Sequence, residues 1–183
     1  MNRHSWLTAT VLPQLGTVHT AVEIGVWRGD YSEMIVKSLK PEQFYGVDPY
    51  ELFEGMVSAP GSEYINQSRL DQLAQRVQNK YAQWGATLLR DVSENAAKQF
   101  ADDSIDFVYI DGDHTYEGVT TDITAWWPKV RTGGILSGDD HTVGTTGKGY
   151  SFGVIEAVAD FAKQHNLEVS VTSGANPSWW VIK

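Results

Sequence analysis

The chain contains no cysteine, which excludes disulfide scaffolds, thiolate metal sites and cysteine nucleophiles while leaving the redox compartment open. Basic residues are few: 14 Lys and Arg stand against 23 Asp and Glu, a formal charge of −9. Neutralising phosphates takes Lys and Arg, so no nucleic-acid partner is expected. No apolar run approaches the ~18 residues that a membrane span needs, and Met1–Gly16 holds no apolar stretch of signal-peptide length. A soluble, cytoplasmic protein with no membrane partner is the expectation. Internal repeats, low-complexity tracts and Pro/Gly/Ser-rich linkers are also missing, so the 183 residues are expected to form one domain, 1–183.

What is present is an alternation of strand and helix signals. Short apolar runs at Ala21–Val26, Phe44–Asp48, Ala86–Arg90, Ile105–Ile110 and Gly133–Ser137 read as strands. Helical spacing is expected over Tyr31–Leu39, Gln67–Trp84, Ser93–Ala101, Tyr116–Val130 (broken near Pro128) and Phe152–His165, with Tyr50–Asn66 and His141–Tyr150 as irregular connections. Two last strands, Leu167–Thr172 and Ser178–Ile182, follow each other without a helix, so they must pair antiparallel or lie apart. The fold class is therefore α/β, a Rossmann-like doubly wound, mostly parallel sheet. Ligands of such folds bind at the carboxyl ends of the strands.

The residues at those ends carry the chemistry. The first turn, Glu23-Ile24-Gly25-Val26-Trp27-Arg28-Gly29, has two glycines that allow a sharp turn and a close ligand, and the next helix start offers free N–H groups. Its Gly-x-x-x-Gly spacing is not the dinucleotide fingerprint. Asp48, before Pro49, stands where nucleotide folds accept ribose hydroxyls, although a turn residue before proline is the bland alternative. Asp91-Val92-Ser93 would lie beside an adenine, and Ser93 would also cap the following helix. Asp111, Asp139 and Asp140 end neighbouring strands. Carboxylates so close repel one another unless a hard divalent cation joins them, and oxygen ligands point to Mg²⁺, Ca²⁺ or Mn²⁺. Asp113 reads as a turn or cap residue. His114, three residues past Asp111, suits a proton acceptor, with a supporting histidine as the alternative and His141 as a rival base.

The set Glu23-x-Gly25-x-x-x-Gly29, Asp48 and IDGDHTYEGVTTDITAWWPKVRTGGILSGDD (Ile110–Asp140) resembles the class I S-adenosylmethionine-dependent methyltransferases. Within them it is similar to the metal-dependent O-methyltransferases related to macrocin O-methyltransferase, and more distantly to catechol O-methyltransferase. The resemblance implies a seven-stranded sheet with the last strand antiparallel. It implies S-adenosyl-L-methionine as cofactor, with Gly25 and Gly29 facing its methionine part, Asp48 on the ribose and Asp91, Val92 and Ser93 near the adenine. It extends the cofactor site to Glu23, Trp27, Pro49 and Asp111, with Tyr31 or Ser32 meeting the cofactor carboxylate; Trp27 would cover the ligand, with packing as the equal alternative. Asp111, Asp139 and Asp140 would hold the metal, Mg²⁺, and His114 would be the base. The acceptor would be a small molecule, a sugar or phenol with vicinal oxygens, held by the loops Tyr50–Asn66 and His141–Tyr150 or by a partner subunit of a homo-oligomer.

Departures from that pattern are an Asp139-Asp140 pair where the catechol type has Asp-Asn, and one extra residue before Ser32. Competing readings are a dinucleotide-dependent dehydrogenase, a metal-dependent hydrolase built on the carboxylate trio, and a non-catalytic nucleoside-binding module. The tryptophan pairs Trp126-Trp127 and Trp179-Trp180 sit on regular elements, so one member of each is expected in the core.

Overall fold

The computed structural model describes residues 3–52, 65–144 and 152–183; the parts of the expected loops Tyr50–Asn66 and His141–Tyr150 at 53–64 and 145–151 lie outside them. In chain order the elements are α1 (Arg3–Trp6), a π-helical stretch (Leu7–Val11), α2 (Leu12–Leu15), β1 (Thr20–Ile24), α3 (Asp30–Leu39), β2 (Gln43–Val47) and α4 (Gln67–Trp84). They continue as β3 (Thr87–Leu89), α5 (Ser93–Ala97), β4 (Ile105–Ile110), α6 (Tyr116–Trp126), a 3-10 turn (Trp127–Lys129), β5 (Val130–Gly138), α7 (Val154–His165), β6 (Ser170–Val171) and β7 (Trp179–Ile182).

Helix α4 shows why these segments form. Leu70, Leu73, Ala74, Val77 and Tyr81 recur every three or four residues and are buried on one face. The Asn66 side chain accepts the Arg69 N–H at 3.0 Å, and Gly85 ends the helix in the left-handed region at φ 68°. In β4 all six residues are buried, as a central parallel strand covered on both faces requires. Its alternate side chains feed two layers. Phe107 and Tyr109 join Trp6, Leu7, Ile35 and Tyr81 on one face. Val108 and Ile110 join Ile123, Trp126, Leu136 and Trp179 on the other. Trp126 and Trp179 are the core members of their pairs, 0% and 1% exposed.

The seven-stranded sheet has the order β3-β2-β1-β4-β5-β7-β6. Strands β1 to β5 run parallel, and β7 is antiparallel to both β5 and β6. Several extents differ from the sequence expectation. The N-terminal stretch is helical and buries Trp6, Leu7 and Val11. Helix α5 stops at Ala97, because Phe100 turns to pack on Tyr45 and Trp126 at centroid distances of 5.0 and 5.3 Å. Strand β5 starts already at Val130, and β6 keeps only two residues. Among the described residues no helix is long and apolar enough to cross a membrane.

Candidate functional site

Sheet register decides which residues share a rim. Ile24 lies opposite Val47 on one side and Ile110 on the other, and Ile110 lies opposite Gly138. One step further along each strand come Gly25, Asp48, Asp111 and Asp139. The ladder continues through them: Gly25 N–H donates to Val47 at 2.9 Å, Asp111 N–H to Ile24 at 2.8 Å and Asp139 N–H to Ile110 at 2.9 Å. β1 is the strand from which the chain leaves to both sides, the switch point where open α/β sheets bind ligands.

The first turn fits a close ligand. Gly25 has φ 84°, and a Cβ there would sit 2.1 Å from the Asp111 carbonyl oxygen, so only glycine lets β1 and β4 leave the sheet this tightly packed. Gly29 N–H closes the turn on Val26 at 2.9 Å, and α3 starts at Asp30 with its first N–H groups unused by the helix. Trp27 is 42% exposed on this turn.

Other residues expected at the cofactor lie beneath the turn. Glu23 and Ser32 are 1% and 0% exposed; the Ser32 hydroxyl bonds the Glu23 carboxylate and lies 2.8 Å from the Tyr81 hydroxyl. Tyr31 is 7% exposed and packs on Tyr109 at 4.2 Å between ring centroids. The first turn of α3 faces the sheet, so these side chains support the turn from the core side, and Tyr31 and Ser32 reach the rim through their backbone alone.

Asp48 accepts the Trp27 N–H with Oδ2 and the Tyr50 N–H with Oδ1, both at 2.9 Å. Burial pushes its carboxyl up, against the backbone N–H groups of Trp27, Tyr50 and Val26, which hold it down. With three of about four lone-pair sites so engaged, one is left for a ligand hydroxyl. Asp91 accepts the Val92 N–H at 2.8 Å, and Val92 is 42% exposed beside it. Val92, not Ser93, is the N-cap of α5, with no side-chain capping bond. The Ser93 hydroxyl instead accepts the Trp126 indole N–H at 2.8 Å, because the buried indole needs an acceptor.

At the other end of the rim His114 Nε2 lies 3.9 Å from Asp111 Oδ1 and 3.7 Å from Asp140 Oδ2. Asp113 holds the loop by accepting the Thr115 N–H at 3.0 Å, and Thr115 caps α6. Asp139 turns inward: it is 5% exposed and accepts from the Ser178 hydroxyl at 3.4 Å, which in turn meets the Tyr109 hydroxyl at 2.9 Å. The expected trio therefore splits, and among the described residues no group of three or more His, Asp or Glu is arranged to hold a metal ion. His141 is half-buried, and burial pushes its imidazole pKa down.

Residues the sequence reading missed complete the rim. Asn176 donates to Asp140 Oδ1 at 2.7 Å, Phe152 packs on the His114 ring at 5.3 Å, and Arg90 donates to the carbonyls of Pro49 and Tyr50 at 3.2 and 3.3 Å. Arg90 closes the expected third strand, the signal that marked Asp48 and Asp111. Asn176 and Phe152 lie far along the chain from His114 and Asp140, and no local pattern marks them.

The family model for the methyltransferase domain matches residues 22–141, well over half of the chain. No curated protein matches the sequence. Among solved structures, a Corynebacterium glutamicum protein aligns with a TM-score of 0.66 at 18% identity, over 98% of this chain and 79% of that one. An O-methyltransferase from Bacillus cereus in complex with SAH aligns at 0.66 and 13% identity, over 99% of this chain and 80% of its own. An O-methyltransferase family protein from Burkholderia thailandensis aligns at 0.66 and 12% identity, over 98% and 55%. At these identities the likeness shows the fold.

Proposed function

Because the chain belongs to the methyltransferase-domain family, we propose that it transfers the methyl group of S-adenosylmethionine to a hydroxyl of a small-molecule acceptor. The observation that carries this reading is His114, held at the strand-end rim between Asp111 and Asp140 at 3.9 and 3.7 Å. The cofactor supplies an electrophilic methyl group on a positively charged sulfur. The backbone of the Gly25–Gly29 turn and the start of α3 receive its amino-acid end. Asp48 accepts a ribose hydroxyl with its remaining lone pair, next to Pro49, and Asp91, Val92 and Ser93 border the base.

His114 Nε2 takes the proton of the acceptor hydroxyl. Asp111 and Asp140 flank the nitrogen that receives it, at 3.9 and 3.7 Å. Catalysis of this kind rests chiefly on alignment of the two reactants, an effect worth up to ~7–11 kcal/mol. A groove of about 480 Å³ lined by Val143, Phe152, Ile155 and Ala159 adjoins His114 through the Phe152 ring. Its apolar wall suits the carbon skeleton of an acceptor such as a phenol.

A divalent cation, Mg²⁺ for an all-oxygen donor set, belongs to the same proposal. Asp111 and Asp140 would supply carboxylate oxygens to it beside His114; Asp139 would join only by leaving Ser178. Bound there, such an ion would lower the pKa of an acceptor hydroxyl.

Calorimetric titration with S-adenosylhomocysteine, with NAD⁺ as control, tests the cofactor. Binding of the first and not the second is expected; the reverse would overturn the reading. Methylation of hydroxylated acceptors with Mg²⁺ and with chelator then tests the metal.

A further inference from the structure

Trp27 and Tyr50 both have left-handed backbones, with φ 51° and 49°, a region disfavoured for bulky side chains. Such conformations persist where the surroundings over-determine them, and they cluster at ligand sites. Around Trp27 the surroundings do so. Its N–H is taken by Asp48 at 2.9 Å, and its carbonyl accepts the Tyr50 hydroxyl at 2.8 Å. Tyr50 is 2% exposed, and burial drives its phenol pKa far up, so it stays a donor at any physiological pH. Its own carbonyl is fixed by Gln67 at 2.9 Å and Arg90 at 3.3 Å. The ends of β1, β2 and β3 are thereby tied through one tyrosine.

The indole so held stays partly open to solvent, 42% exposed. Of the seven tryptophans, Trp27 is the one more than a third exposed. Glycine at this position would relieve the backbone, so backbone conformation does not account for a tryptophan on the turn. We propose that Tyr50 is a positioning residue for cofactor binding: its hydroxyl holds Trp27 in the left-handed turn, where the indole forms a wall of the cofactor site. The inference rests on the S-adenosylmethionine reading above.

Acrylamide quenching of tryptophan emission, with and without S-adenosylhomocysteine, tests it alongside calorimetry and thermal unfolding. In the wild type the ligand should shield emission, and Trp27→Phe should abolish that shielding. Tyr50→Phe should raise the dissociation constant about tenfold, the loss of one hydrogen bond of ordinary strength, and make Trp27 more quenchable without ligand. Trp27→Gly should still unfold in one cooperative transition well above the assay temperature and bind at least about tenfold more weakly there, an outcome that loss of folding cannot mimic. A merely structural Tyr50 would lower the melting temperature of Tyr50→Phe and leave affinity and shielding unchanged, which overturns the proposal. Ligand binding to the wild type without shielding also overturns it. Absence of any binding to the wild type overturns the cofactor reading, and this inference with it.

Discussion

Asp122 offers a sharp test of the electrostatics beneath the rim. It lies on α6, 6% exposed, and a Cβ at Gly112 would come within 3.4 Å of its Oδ2. Burial, opposed by the Ser93 hydroxyl and reinforced by Asp113 and Glu94, pushes its carboxyl up to about 6 from 3.8. The folded state therefore binds the proton more tightly than the unfolded chain, and stability falls as pH rises between about 4 and 6. Above that window the ionised carboxylate costs about 3 kcal/mol, at ~1.4 kcal/mol per pKa unit. Asp122→Asn keeps the shape and an acceptor for Ser93 while removing the charge. At pH 8 the variant should be more stable by ~2–3 kcal/mol, a melting temperature higher by roughly 5–10 °C for a chain of this size, and at pH 4 the advantage should vanish. Urea unfolding across pH 4–8 measures this. A variant less stable than wild type at pH 8 would mean that the carboxylate has a compensating partner. An advantage that persists at pH 4 would mean that shape, not charge, is responsible.

His114→Ala should lower kcat by ~10²–10⁴-fold while leaving the S-adenosylhomocysteine dissociation constant nearly unchanged, measured by steady-state kinetics and calorimetry. Asp106→Ala should cost ~3–5 kcal/mol in urea unfolding, because Asp106 is 2% exposed, accepts the His19 and Thr20 N–H groups at 2.8 Å and pairs with Arg131 at 2.7 Å. Gly25→Ala should destabilise by at least ~2 kcal/mol and abolish S-adenosylhomocysteine binding in calorimetry, since its Cβ would meet the Asp111 carbonyl at 2.1 Å.

The elements legible in the sequence are those whose signals are local and complete. Gln67–Trp84 carries its period, its Asn66 cap and its Gly85 stop, and Ile105–Ile110 is apolar throughout; both appear with the expected bounds. Where a partner sets the extent, the reading drifts. Strand β5 lengthens to Val130 because the pairing of Ile105 with Val130 extends it before the register shift, and helix α5 shortens because Phe100 finds aromatic partners. The rim is legible for the same reason as the strands, since an acidic residue one step past an apolar run stands at the carboxyl edge. Side-chain direction is not. Glu23, Tyr31, Ser32 and Asp139 sit at site positions by spacing, and each faces the core: Glu23 meets Ser32, Ser32 Tyr81, Tyr31 Tyr109 and Asp139 Ser178.

Composition, alternating apolar runs and the Gly25–Gly29 turn by themselves determined an α/β sheet with its chemistry at one edge, because hydrophobic period and turn residues act within a few positions of the chain. Tertiary structure alone decided that Asp48 accepts the Trp27 and Tyr50 amides, that His114 rather than a third carboxylate stands between Asp111 and Asp140, and that Tyr50 and Arg90 tie the ends of three strands together. The contacts among them, the Tyr50 hydroxyl on the Trp27 carbonyl and Arg90 on the Tyr50 carbonyl included, depend on distances between segments tens of residues apart, set only when strand register and the burial of each layer bring the loops together.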